Sequence, residues 1–253
     1  MILLFLAAVL LSPGAMAATM FGYSPQQYNK QTNWGTGLYF APHFTEIYAN
    51  PDNTEKPITT IKWSSAGPSG QISFQVQTRP ASSTSSDFFN TFLCFYPELE
   101  LAVMPVLSEN GDGWAEVLYD LKKQKSGWVK LREKFDPDFQ QTQAAHLGVF
   151  QSWLDFMRLH AKDAGVFWLS GVPSIERTLH TAPEDKAKLI ETTAIVKLQV
   201  KHVRGNWLLV EATDFDHSSP IGWVRWRDDD GHLMVFPNLS KGSRDVGMGV
   251  SWH

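Results

Sequence analysis

Hydrophobic and polar positions alternate along much of this chain, in short runs separated by turn residues. Gly37-Leu38-Tyr39-Phe40 and Phe44-Thr45-Glu46-Ile47-Tyr48 read as short strands around Ala41-Pro42-His43, and Asn50-Pro51-Asp52-Asn53 is a turn signal. Ile58 to Trp63, Ile72 to Val76 and Leu99 to Leu107 continue the series, with a turn at Gly67-Pro68-Ser69-Gly70. Arg79 to Ser86 is a low-complexity loop. After a break in pattern, Val166 to Leu169, a section from Ala187 to Val200 and His232 to Phe236 also read as strands. Asp228-Asp229-Asp230-Gly231 is the hairpin turn before the last of them. Thr19 to Thr36, rich in polar and aromatic residues, reads as an irregular arm on the body.

The break holds the one helical pattern. Leu147, Phe150, Trp153, Leu154, Met157 and Ala161 recur at steps of three and four, the period of a single helix face. Asp136 can cap the helix and Pro137 fits its first turn, so a helix is expected from about 138 to 161. Gly148 weakens its middle. The stripe is expected to be core.

A motif occurs twice. Gly113-Trp114-Ala115-Glu116-Val117 is followed by Gly127-Trp128-Val129-Lys130. Gly205-Asn206-Trp207-Leu208-Leu209-Val210 is followed by Gly222-Trp223-Val224-Arg225. The two Trp residues are 14 positions apart in the first copy and 16 in the second. The repeat extends upstream: Tyr48 to Asp52 matches His180 to Glu184, and Leu101 to Val106 matches Val196 to Val200. From Pro51 to Trp114 is 63 positions, and from Pro183 to Trp207 is 24, so the first unit carries 63 − 24 = 39 extra residues. They fall at about 64 to 100.

A turn with Pro, alternating strands, Gly-x-Trp, a polar turn and Gly-Trp-Val together resemble the bacterial SH3-like domain. The resemblance covers about 40 to 131 and 166 to 237. It departs from the family in the insertion of the first unit and the acidic hairpin after the second. It implies a mainly β fold of two SH3-like small β-barrels joined by one α-helix. It implies binding rather than catalysis, since such domains in bacteria commonly attach exported proteins to cell-wall peptidoglycan or its peptides. A likeness to cell-wall peptidases of the NlpC type stops at the barrels, because no Cys-His catalytic signature appears elsewhere in the chain.

The N-terminus adds an expectation of export. Ile2 to Leu11 is apolar, Ser12-Pro13-Gly14 breaks it, and Ala15-Met16-Ala17 is an A-x-A site. Cleavage after Ala17 would leave 253 − 17 = 236 residues, periplasmic or extracellular. The absence of Lys or Arg before the run is off-pattern, and an uncleaved apolar helix is the alternative. No later run has 18 consecutive apolar residues, so no integral membrane segment is expected after cleavage. The organisation expected is a signal peptide at 1–17, a first barrel at 18–135, a connecting helix at 136–165, and a second barrel with its tail at 166–253.

Composition narrows the partners. Twenty-two basic and 26 acidic residues give a charge of −4 without a basic stripe, so no nucleic acid is expected. Ten Trp and 16 Phe supply burial and also adhesive surface. The lone Cys94, in an apolar run, reads as a small core residue rather than a nucleophile, and it has no partner for a disulfide.

Catalytic and metal chemistry is thin. Eight His residues show no metal-binding spacing. Asp214-Phe215-Asp216-His217 and Asp228 to Asp230 could meet around a cation, but read as solvated loops that do not match an EF-hand. Ser82 to Ser86 is linker composition, and Glu98 and Glu100 read as a solvated strand face. No catalytic residue, metal or cofactor is expected. The ligand-binding candidates are Trp114, Trp128, Trp207, Trp223 and Trp226, although most of these Trp are expected to be barrel core. Two functions remain: an envelope binding protein for peptidoglycan, a wall peptide or a protein partner, and an inhibitor or immunity-type protein acting through the insertion, around Ser82 to Phe89. An enzyme using His217 and nearby Asp residues, a hydrolase of unknown type, trails both.

Overall fold

A computed structural model describes residues 30, 34–52, 56–66, 71–78, 91–96, 101–134 and 147–238. The expected signal peptide at 1–17, the Ser-rich stretch, Glu98, Glu100 and the Asp136-Pro137 pair expected to cap the helix lie outside them. Among the described residues the fold is mainly β, with one α-helix.

The first unit contains β1 (Gly37–Ala41), β2 (Phe44–Ile47), β3 (Thr59–Ala66), β4 (Gln71–Thr78), β5 (Cys94–Tyr96), β6 (Leu101–Glu109), β7 (Trp114–Asp120), β8 (Lys125–Lys130), β9 (Glu133–Lys134) and β10 (Val149–Ser152). The helix α1 (Trp153–Ala164) follows. The second unit contains β11 (Val166–Trp168), β12 (Leu179–His180), β13 (Leu189–Ile190), β14 (Ile195–Arg204), β15 (Trp207–Asp214), β16 (Ile221–Arg225) and β17 (Val235–Pro237).

The two units have the same strand order. In the second it is β13-β12-β16-β15-β14-β11-β17. In the first, β8-β7-β6-β1-β10 repeats the last five of these, and β2 joins β8 through an isolated Tyr48–Trp128 bridge. Register repeats as well. Trp114 faces Lys130, and Val117 faces Gly127; Trp207 faces Arg225, and Val210 faces Gly222. Even the irregularity repeats: the register shift after Val106 matches the one after Val200. The extra residues of the first unit extend β3 and add β4, which form a separate three-stranded sheet with β2, while β5 returns to pair with β6.

The sheets are open, not closed into barrels. Their faces are covered by other elements instead. Ile47, Ile61 and Trp63 of β2 and β3 pack with Met104, Val117 and Val129 on one face of the first sheet. A second core holds Leu38, Phe40 and Leu118 of the first unit, Trp153, Phe156 and Met157 of α1, and Val200, Val210 and Val224 of the second. The packing is therefore continuous across residues 165 and 166. Two long-range hydrogen bonds reinforce it: the Trp153 indole donates to the Trp34 carbonyl at 2.9 Å, and the Arg227 guanidinium donates to the Gly35 carbonyl.

The helix is shorter than its periodicity predicts and begins later. Leu147 and Gly148 form a turn, Gly148 has φ +83, and Val149–Ser152 is strand. The edge of β1 offers unpaired backbone groups, and Gln151 pairs with Leu38 there, so tertiary hydrogen bonding overrides the helical period. Ser152 is the actual N-cap; its hydroxyl accepts from the Asp155 N–H at 3.1 Å. Trp153, Met157 and Ala161 form the buried stripe as expected, joined by Phe156. The acidic turn also differs from the hairpin expected. Asp228 and His232 close it, and Arg227 bridges Leu233, but β17 then leaves to pair with β11.

Candidate functional site

The five candidate Trp residues separate by face. In a strand, neighbours alternate sides. Ala115, Val117 and Val129 point into the core, so Trp114, Glu116 and Trp128 point outward and are half-buried. Trp223 is the outward, half-buried equivalent of Trp128. Trp207 is outward too, but only 8% exposed. Trp226 is 2% exposed, and its indole donates to the Gly205 carbonyl at 2.8 Å. It is core, and offers a ligand no surface. The register explains it: Trp226 occupies the place of Leu131, one step past the Gly-Trp-Val-basic motif and therefore inward.

Each unit sets a second ring against its first Trp. Tyr48 stands edge-on to Trp114, with centroids 5.7 Å apart at 88°. His180 stands edge-on to Trp207 at 5.1 Å and 75°. The glycine of each Gly-Trp pair explains the approach. A Cβ on Gly127 would lie 2.5 Å from Ile47 Cγ2 and 3.0 Å from the Tyr48 carbonyl oxygen. A Cβ on Gly222 would lie 2.8 Å from Ile190 Cδ1 and 2.9 Å from Leu179 Cβ. Only glycine lets the edge strand approach this closely.

The surroundings of the two ring pairs differ. In the second unit the Arg225 guanidinium lies 5.6 Å from the Trp207 ring centroid. Asp185, at 3.3 Å, and Asp229 hold it there. In the first unit the Arg225 equivalent, Lys130, is exposed. The Tyr48 hydroxyl donates to the exposed Glu46 carboxylate at 2.9 Å; desolvation first, and then this carboxylate, raise the tyrosine's pKa. Glu116, across from Trp128, accepts from Ser126 at 2.6 Å and from Ser108 at 3.2 Å. In the second unit the ring of Trp223 stands edge-on to His202, 6.2 Å away.

Sequence reasoning missed Tyr48, His180 and Arg225 as members of these sites. The repeat itself carried the signal, because Tyr48 and His180 head the matched turns.

The metal candidates do not converge as the chain order allows. Asp214 serves its own turn: it accepts from the Ser218 hydroxyl at 2.5 Å and the Ser218 N–H at 2.9 Å, which lowers its pKa. His217 is exposed on that turn with φ +62. Asp228, Asp230 and His232 do lie together, with ligand atoms within 4.8 Å of one another. Asp228 accepts from the His232 backbone N–H at 2.7 Å, so its carboxylate already closes the turn. Cys94 takes a strand position, pairing with Val103. Among the described residues no helix is long and apolar enough to cross a membrane.

No protein-family model matches this chain, and neither the curated proteins nor the solved structures provide a similar one.

Proposed function

We propose that this chain is an exported, non-enzymatic binding protein of the cell envelope, built from two SH3-like units, that recognises peptidoglycan or a wall peptide. The observation that carries the reading is the repeated outward placement of half-buried rings, Trp114 and Trp128 in the first unit and Trp223 in the second. Half-buried aromatics held by strands on both sides give large contact area at small entropic cost. The shared strand order, register and register shift support two copies of one small β fold.

A second reading is an inhibitor or immunity-type protein bound through the insertion. It is favoured by β4 and the extension of β3, which pair with each other and which the repeat does not require.

Sedimentation of the purified chain with isolated peptidoglycan tests the first reading. Cosedimentation that weakens in Trp128→Ala and Trp223→Ala, with circular dichroism unchanged, is the expected result. No cosedimentation of the parent chain would remove wall binding, and crosslinking in the native envelope would then seek a protein partner of the insertion.

A further inference from the structure

We propose that the Trp114–Tyr48 platform of the first unit binds the guanidinium of an arginine side chain on a partner protein. The inference rests on reading the outer faces as binding surfaces, and it goes beyond the wall reading to a protein partner.

The second unit already contains the complex within one chain. Trp207 and Trp114 are equivalent by register, each opening its strand opposite a basic residue. Each has a second ring standing edge-on to it. On Trp207 the Arg225 guanidinium lies against the ring, and the carboxylates of Asp185 and Asp229 hold it. Arg225 is thus an internal ligand of that platform, and Trp207 is almost wholly covered.

The first unit keeps the platform and lacks the internal ligand. Among the described residues no cation lies over Trp114. Lys130 stands where Arg225 does, but it is exposed. An ammonium is compact and strongly hydrated, so it favours solvent, whereas a guanidinium is planar, weakly hydrated and stacks on aromatic faces. A negative charge is present in the first unit too: the exposed Glu46 carboxylate accepts from the hydroxyl of Tyr48, the second ring of the pair. An aromatic pair with a carboxylate on one of its rings is an environment in which a guanidinium can gain both a cation–π contact and a charge-assisted hydrogen bond.

The test is a titration of the full chain, its Trp indoles labelled with nitrogen-15, with Nα-acetyl-arginine amide. The citrulline analogue, which keeps the shape and loses the charge, is the control. Arginine amide should shift the Trp114 indole N–H signal and leave that of Trp207 in place, and should bind at least about threefold more tightly than the citrulline amide. Glu46→Gln should weaken arginine binding by about threefold, the size of an exposed charge contact. Trp114→Ala should abolish arginine-amide binding measured by calorimetry. Equal shifts with the citrulline amide would overturn the proposal, and so would an arginine response unchanged by Glu46→Gln. The second variant is solvent-exposed and keeps the test valid if Trp114→Ala does not fold. Cosedimentation with the wall but no arginine response would overturn this inference alone. An arginine response without cosedimentation would support it and remove the wall reading.

Discussion

Tyr48 and Trp128 exchange both backbone hydrogen bonds, each at 2.8 Å. This bridge ties the small β2-β3-β4 sheet to the first unit's main sheet. His180 pairs with Trp223 at the same place in the second unit. The glycine before each Trp makes the approach possible. Gly127→Ala and Gly222→Ala should therefore each destabilise the chain by about 1–3 kcal/mol, as overpacking does. Chemical denaturation measures this; a change below about 0.5 kcal/mol at both sites would show that the edge strands are not held as described.

The continuous core across α1 predicts one unfolding transition for both units in calorimetry, because neither buries its α1-facing side alone. Two separate transitions would show independent domains.

The helix start offers a local test. Ser152→Ala removes the cap to the Asp155 N–H and should cost about 1 kcal/mol. Trp153→Phe removes the hydrogen bond to the Trp34 carbonyl and should cost about 1–2 kcal/mol. Urea midpoints of both variants check the pair.

Arg225 is 15% exposed at its side chain, while Asp185 and Asp229 are 60% and 77% exposed. Exposed ion pairs contribute little, about 0–1 kcal/mol. Arg225→Ala should therefore destabilise more than Asp185→Ala, because it also uncovers Trp207. It should red-shift the tryptophan emission, and Asp185→Ala should not.

Asp214 is held charged by the Ser218 hydroxyl, so its folded pKa lies below its unfolded value of about 3.9. A depressed carboxyl stabilises the fold above the unfolded pKa, and that contribution is lost as pH falls through the folded value. Asp214→Asn should be less stable than the parent at neutral pH and should show a shallower loss of stability below about pH 4. Ser218→Ala should raise the Asp214 pKa in a carboxyl NMR titration. Parallel acid limbs in parent and Asp214→Asn would exclude this contribution.

Much of the strand content was legible in the sequence. Alternation with period two is local, and so is the turn chemistry around Pro51 and Gly231. The doubled Trp and Gly-Trp-Val motif read as a repeat, and the two copies have matched register. What could not be read is whatever depends on a partner distant in the chain. Phe150 fits a helical stripe and a strand equally well, and the open edge of β1 chose the strand. Trp226 and Trp128 look alike in sequence, but one faces the core and the other does not. Whether the sheets close is likewise decided by what covers them, and here that is α1 and the β2-β3 segment. Tertiary structure alone set Arg225 on Trp207 and left Trp114 half-buried with no cation over it among the described residues, because a cation reaches a ring only when two separate strands and the loops bearing its carboxylates meet in space.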